Sequence, residues 1–284
     1  MKHLNVKSYA KINISLDVKC LKEDGYHELD SVMVPLEMHD SLLISLLKGN
    51  SDTFVTCDDF SNGNIKYNLA TFAIDKLASL YGFNNKFRVF IHKVIPMQAG
   101  LGGGSSNAAA TLKAINKMLK LNISDEELIQ VGKTLGADVP FFIMNKPCRA
   151  RGIGEKLEPI EIKNDYYCLI VKPTQGLSTK DVFKKADELA LKTGNIDNVV
   201  TALENGDDEL LEKSIFNSLE EPAEILLPEI KIIKNELKEL GLRLVLMSGS
   251  GSAIFALSRD KKTLKQAMRM LEDRYVVELT KILK

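Results

Sequence analysis

No stretch of the 284 residues approaches the ~20 consecutive apolar residues that a membrane-spanning helix needs. The opening residues, MKHLNVKSYAKINISL, also lack the apolar core of a signal peptide, and the expected location is the cytoplasm. An excess of either charge is missing too, since 38 Lys and Arg face 38 Asp and Glu. Nucleic-acid affinity is largely a count of phosphates neutralised by basic side chains, so nucleic acid is not the expected partner. The four cysteines, Cys20, Cys57, Cys148 and Cys168, are far apart and show neither CxxC nor metal-ligand spacing. That excludes a disulfide scaffold and leaves them as small buried hydrophobes. Internal repeats and low-complexity segments are absent as well.

What remains is an ordinary globular composition, 45% hydrophobic and 27% charged, long enough for two cores. AKINISLDVK (10–19) alternates, with Ile12, Ile14, Leu16 and Val18 on one face and Lys11, Asn13, Ser15 and Asp17 on the other, which predicts a half-buried antiparallel strand. Asp24-Gly25 signals a turn, and SVMVPLEM and SLLISLL read as further strands. Asn68 opens a helix with Leu69, Phe72, Ala73, Leu77 and Leu80 at helical spacing, ended by Gly82. A strand through Phe87, Val89 and Ile91 follows, then a glycine loop, then a helix burying Ala108, Leu112, Ile115 and Leu119. Ser124 and Glu127 form a capping box for a helix that stops at Gly136. Beyond residue 155 come the strands YYCLIV, LRLVLM, AIFAL and YVVEL, with helices from Thr179, over 229–240 and over 261–272. The order lacks regular βα units, so the expected class is α+β with antiparallel sheets.

The loop PMQAGLGGGSSNAA (96–109) is the strongest chemical signal. Its spacing fits neither GxxxxGK[ST] nor GxGxxG. Successive glycines still let backbone N–H groups converge, and a helix starting near Ser105–Ser106 offers unpaired donors and a positive dipole end to a phosphate. Either serine hydroxyl could also meet a Mg²⁺ that accompanies a nucleotide. The plainer alternative is a tight strand-to-helix connection.

The loop resembles that of the galactokinase, homoserine kinase, mevalonate kinase and phosphomevalonate kinase superfamily. Two further signatures of that superfamily appear in order, YAKINISL near the start and MSGSGSAIFAL near the end. EDGYHELDSVMVPLEMHD (23–40), GADVPFFI (136–143) and RGIGEKLEPI (151–160) resemble, within it, the family of 4-diphosphocytidyl-2-C-methylerythritol kinases. The resemblance implies ATP-dependent phosphorylation of the 2-hydroxyl of a cytidine-diphosphate methylerythritol in the non-mevalonate route to isoprenoids, with Mg²⁺ bound by ligands it does not specify. It implies an N-terminal domain (1–155) like domain 2 of ribosomal protein S5 that binds ATP. A ferredoxin-like C-terminal domain (156–284) would complete the substrate pocket, with the active site in the cleft between them.

Asp138 in GAD is either a turn residue bonding its own backbone or a base for the acceptor hydroxyl, and the resemblance favours the base. Lys11 would hold that carboxylate ionised and offset phosphoryl charge, with Asn13 holding the acceptor. Pro96, Gly100, Leu101, Gly102, Gly103, Gly104, Ser105, Ser106, Asn107 and Asn68 would hold ATP. Asn68 is also the expected helix cap. Tyr26 and His27 would take the cytosine, with Phe183 closing the sandwich and Thr179 beside it. Gly249, Ser250 and Gly251 would approach the substrate pyrophosphate. Gln98-Ala99 departs from the small residues or glycines common there in relatives, which bears on nucleotide contacts at the loop entrance. The expected partner is a small molecule, with no membrane, and the chain is expected as a monomer or homodimer. A homoserine- or mevalonate-type kinase, or a catalytically silent ligand-binding protein on the same scaffold, stand as alternatives.

Overall fold

The computed structural model describes residues 2–23, 25–48, 52–58 and 68–284. In chain order the elements are β1 (His3–Leu21), β2 (His27–Leu46), β3 (Phe54–Cys57), α1 (Leu69–Tyr81), β4 (Phe87–His92), α2 (Gly103–Leu119), α3 (Asp125–Lys133), α4 (Val139–Met144), β5 (Cys148–Gly152) and β6 (Lys156–Pro159). There follow β7 (Tyr167–Lys172), α5 (Thr179–Ala186), α6 (Ile196–Asn205), α7 (Asp208–Ser214), α8 (Glu220–Leu226), α9 (Glu229–Glu239), β8 (Leu244–Met247), β9 (Ile254–Ser258), α10 (Lys261–Leu271) and β10 (Val276–Lys281). Two compact units result, residues 1–10, 38–95 and 102–145 in the first, and 11–37, 96–101 and 146–284 in the second.

In the first unit β4 pairs antiparallel with Ser41–Leu46 of β2 and parallel with β3. Phe87, Val89 and Ile91 are buried as their alternation requires. Asn68 caps α1 by accepting from the Ala70 N–H at 2.8 Å, and Gly82 ends it with φ +69°. The buried stripe of α1 is nevertheless rotated from the expected one. It runs through Ala70, Ala73, Ile74 and Leu77, while Phe72 and Leu80 are 41% and 54% exposed. Helix α1 packs chiefly on α2, and small residues let the two backbones approach where Phe72 would hold them apart. Helix α2 begins at Gly103, earlier than Ser105–Ser106, and Met118 is buried where Leu119 was expected. The Ser124–Glu127 capping box of α3 is complete, with bonds of 3.2 and 2.9 Å.

In the second unit Leu29–Met33 of β2 pairs with β5, which pairs with β6. A separate antiparallel sheet has the order β10-β7-β9-β8, the split βαββαβ arrangement of a ferredoxin-like domain with extra helices between β7 and β8. Its core joins Leu169, Val171, Ile254 and Ala256 to Ile230, Ile233 and Leu237 of α9 and to Leu264 and Leu271 of α10. The class is α+β.

Two strand readings need correction. SVMVPLEM and SLLISLL form one strand, β2, whose first part pairs with β5 and whose last part pairs with β4. Pro35 does not end it, because its carbonyl accepts the Leu283 N–H at 2.8 Å. Strand β1 is buried on both faces rather than one, with Lys11 and Asn13 at 4% and 5% exposure and Ser15 and Asp17 fully enclosed. Gly25 turns the chain between β1 and β2 with φ +81°, whereas Asp24 of the expected turn lies outside the described residues.

Candidate active site

Within the second unit, Gln98 to Leu101 is laced to the glycine-serine run 248–252. The Ser252 and Ala253 N–H groups donate to Gln98 O and Ala99 O, each at 3.2 Å, and Ser248 Oγ donates to Gly100 O at 3.1 Å. Gly100 has φ +72°, and a Cβ there would lie 2.0 Å from Ser248 O, so only glycine permits this approach. Leu101 O accepts the Lys11 N–H at 3.1 Å, which ties the loop to β1. Lys11 Nζ donates to Asn13 Oδ1 at 2.5 Å, while Asn13 Nδ2 donates to Ser31 Oγ and the Asn13 N–H to Ser248 Oγ. A Cβ on Gly249 would meet Asn13 Oδ1 at 3.2 Å and Lys11 Nζ at 3.3 Å. The structure therefore brings Lys11, Asn13, Gly100 and Gly249 together, with Ser250 bonded to Thr179 at 2.8 Å. Ser252 Oγ also donates to Gln175 O, in a turn whose Pro173 and Thr174 carbonyls accept from Lys172 Nζ. Burial holds the Lys172 ammonium below the ordinary lysine pKa, with Glu229 opposing the shift.

In the same unit, the His27 and Phe183 rings stack at 4.8 Å with a tilt of 31°. His27 Nε2 lies 2.7 Å from Asp187 Oδ1, and Tyr26, the preceding residue, is 60% exposed. Asp187 was not anticipated. Its only sequence signal is its place one helical turn beyond Phe183, where side chains share a face.

In the first unit, α2 starts at Gly103 with Gly102 at its N-cap, φ +71°, and no side chain capping it. Its first N–H groups keep the anion-binding character of a helix start. Gly104 is exposed, whereas Pro96, at the head of the loop in the second unit, is half-buried. Ser106 and Asn107 are turned inward, with Asn107 Oδ1 accepting from the Ser8 hydroxyl at 2.7 Å and the Ser106 hydroxyl bonded to the same Ser8 oxygen at 2.8 Å. Ser105 remains half-buried, and its hydroxyl would lie 3.8 Å from a Cβ on Gly136. Lys93 Nζ would lie 3.1 Å from a Cβ on Gly103, which sets an ammonium beside the start of α2. Asp40, fully buried, holds it at 2.5 Å and accepts the Val94 and Ile95 N–H groups at 2.8 Å each. Nothing in the strand pattern singled out Lys93 or Asp40, because their pairing is made across 53 residues. Asp138 occupies the N-cap position of α4, half-buried, with Pro140 in the first turn and no capping bond from its side chain. Among the described residues no group of three or more His, Cys, Asp or Glu could hold a metal ion, and no helix is long and apolar enough to cross a membrane.

Residues 68–146 match the GHMP kinases N-terminal domain, and residues 199–277 the GHMP kinases C-terminal domain. The chain is 35% identical over 273 residues to the 4-diphosphocytidyl-2-C-methyl-D-erythritol kinase of Finegoldia magna, with 96% of both chains covered. It is 36% identical to the enzyme of that name from Alkaliphilus metalliredigens, covering 97% of this chain and 94% of the relative. The chain belongs to the 4-diphosphocytidyl-2-C-methyl-D-erythritol kinase family. A crystal structure of a 4-(cytidine 5′-diphospho)-2C-methyl-D-erythritol kinase superposes with a TM-score of 0.83 at 31% identity, covering 99% of this chain and 100% of that one. Homoserine kinase from Cytophaga hutchinsonii shares the fold, with a TM-score of 0.78 at 18% identity over 100% and 95% of the two chains. As a member of this kinase family the chain is an ATP-dependent kinase of a small molecule.

Proposed function

We propose that the chain phosphorylates the 2-hydroxyl of 4-(cytidine 5′-diphospho)-2-C-methyl-D-erythritol with ATP, giving the 2-phosphate and ADP, in the cytoplasm and as a monomer or homodimer. The observation that carries this reading is the end-to-end identity with relatives of that name. The lacing of Lys11, Asn13 and the 248–252 run supports it. Residues 1–155 hold ATP in this reading, and residues 156–284 complete the acceptor pocket.

Phosphoryl transfer asks mainly for positioning and charge stabilisation, plus a group that takes the acceptor proton. Asp138 takes the proton of the 2-hydroxyl; that oxygen forms the new bond to the γ-phosphorus, the bond to the β–γ bridging oxygen breaks, and ADP leaves. Lys11, desolvated and oriented by Asn13, offsets the charge on the migrating group. Pro96, Gly100, Leu101, Gly102, Gly103, Gly104 and the start of α2 hold the ATP phosphates, with Lys93 adding a cation. In this reading Asn68 and Asn107 serve the nucleoside side through their amide nitrogens, since Oδ1 of each already accepts from the chain, from the Ala70 N–H and the Ser8 hydroxyl. Ser105 is the hydroxyl available to a Mg²⁺ arriving with the nucleotide, since Ser106 is committed to Ser8. The ion would neutralise phosphate charge. Tyr26, His27 and Phe183 take the cytosine, with Thr179, Gly249, Ser250 and Gly251 along the pyrophosphate.

A coupled ADP-release assay comparing the cytidine compound with homoserine and mevalonate tests the reading. Selective turnover of the cytidine compound is expected. Turnover of either other alcohol, or none with ATP still bound, overturns the assignment.

A further inference from the structure

A cavity of about 610 Å³ opens in the second unit beside α9 and β8. Its polar rim carries Lys192, Lys234, Lys238 and Arg243 against Glu212 and Glu220. Four cations against two carboxylates leave this cavity a surplus of two positive charges, which Lys231, Glu221 and Glu224 of a smaller adjoining cavity reduce to one. The two rim carboxylates are already engaged, Glu220 with Lys234 and Glu212 with Arg243 at 3.5 Å. Among the described residues Lys192 and Lys238 form no salt bridge, and both border this cavity and the smaller one of about 240 Å³ beside it, where the Lys192 charge acts on Glu224. Phe216, Leu242 and Leu246 give part of the wall an apolar surface. Concave walls with a few convergent cations are the usual make-up of a site for a small anion with an apolar part.

The wall is hydrogen-bonded to the 248–252 run. Asn217, buried in the wall, donates from Nδ2 to Met247 O at 2.9 Å and to Gly249 O at 2.8 Å. Glu220 Oε1 accepts the Met247 N–H at 3.1 Å while its other oxygen holds Lys234. An anion drawn to Lys192, Lys234 and Lys238 competes with Glu220 for Lys234. A released Glu220 resets its hold on Met247, the residue leading into Ser248 and Gly249.

We infer that this cavity is a second ligand site, for a phosphate- or diphosphate-bearing small anion, whose occupancy biases the conformation of the 248–252 run. A ligand changes such an equilibrium only by its differential affinity, and Glu220 supplies the difference by bonding Lys234 in one state and not in the other. The inference does not depend on which alcohol the kinase phosphorylates.

The test is a titration of the full chain with inorganic pyrophosphate and, separately, with butyl phosphate, followed by methyl and amide NMR. Saturating ADP fills the nucleotide site throughout. Expected are shifts of the Leu242 and Leu246 methyls and the Gly249 amide, lost in the Lys192→Ala/Lys238→Ala double variant, whose ATP KM stays that of the parent. Stronger shifts with butyl phosphate assign the apolar wall to the ligand, and stronger shifts with pyrophosphate assign a free polyanion. Silent methyls in the parent, or equal shifts in the double variant, overturn the site. Methyl shifts with an unmoved Gly249 amide overturn the link to the run.

Discussion

Asp138 sits at the head of α4 without capping it, so Asp138→Asn removes the carboxylate charge at nearly constant shape and backbone support. Turnover should fall by roughly 10²–10⁴ with the KM of ATP little changed, the usual worth of a positioned base. Steady-state kinetics reads this, and near-parental turnover would move the base elsewhere. Asp187 offers a second residue-scale test, because its bond orients His27 against Phe183. Asp187→Asn weakens a hydrogen bond to a charged group, so the KM for the cytidine substrate should rise by about tenfold at unchanged kcat. The thiols differ in a way composition alone could not show. Burial pushes the Cys148 thiol up to about 12 and Cys168 higher still, whereas Cys20 is exposed. Iodoacetamide at pH 8, followed by mass spectrometry, should label Cys20 and spare Cys148 and Cys168 until the chain is unfolded. Lys11, Asn13 and the glycines could be singled out because they stand in motifs that resemble the family's, and the structure brings Lys11, Asn13, Gly100 and Gly249 together. Asp40, Lys93 and Asp187 could not, because an ordinary charged residue gains a role only from its partner across the fold.

The glycine stretch divides into two kinds of position at the level of the element. Gly100 turns back on Ser248 at positive φ, while Gly104 lies in the first turn of α2 with only Leu69 Cδ1 near, at 3.8 Å from an added Cβ. Gly100→Ala should cost about 2–4 kcal/mol in urea unfolding, through the left-handed backbone and the clash with a carbonyl. Gly104→Ala should leave stability equal or higher, since alanine favours the helix. Equal losses in both would mean that the loop is not laced to the 248–252 run. Caps and alternation fixed where elements begin and which residues line strands, as at Asn68, Ser124 and Phe87. The rotated face of α1 was hidden because helical spacing accepts either Phe72 or Ala70 beside Ala73 until α2 demands small residues.

For the molecule as a whole, Arg149 shows how stability rests on junctions between distant segments. From β5 it grips Asp30 of β2 with two bonds, 2.8 and 2.7 Å, and Asp197 of α6 with a third. Arg149→Met strands the nearly buried Asp30 and should destabilise the chain by about 3 kcal/mol. Arg149 also holds the Asp197 carboxyl below its ordinary range. A carboxyl depressed in the folded state adds stability that is present above the unfolded pKa and lost as pH falls through the folded one. The Tm gap between parent and variant should therefore be widest near neutral pH and shrink below about pH 4. A gap independent of pH would remove the ion pair from the account.

The sequence by itself determined the α+β class, most element positions, the family and the chemical character of the glycine loop, because these depend on local spacing and residue type. Tertiary structure alone decided that both faces of β1 are enclosed, that β2 is one strand with two pairing partners, and that Ser106 and Asn107 turn toward Ser8. Each of those outcomes is a contact between segments far apart in the chain, made only once backbone pairing has brought them within hydrogen-bond reach.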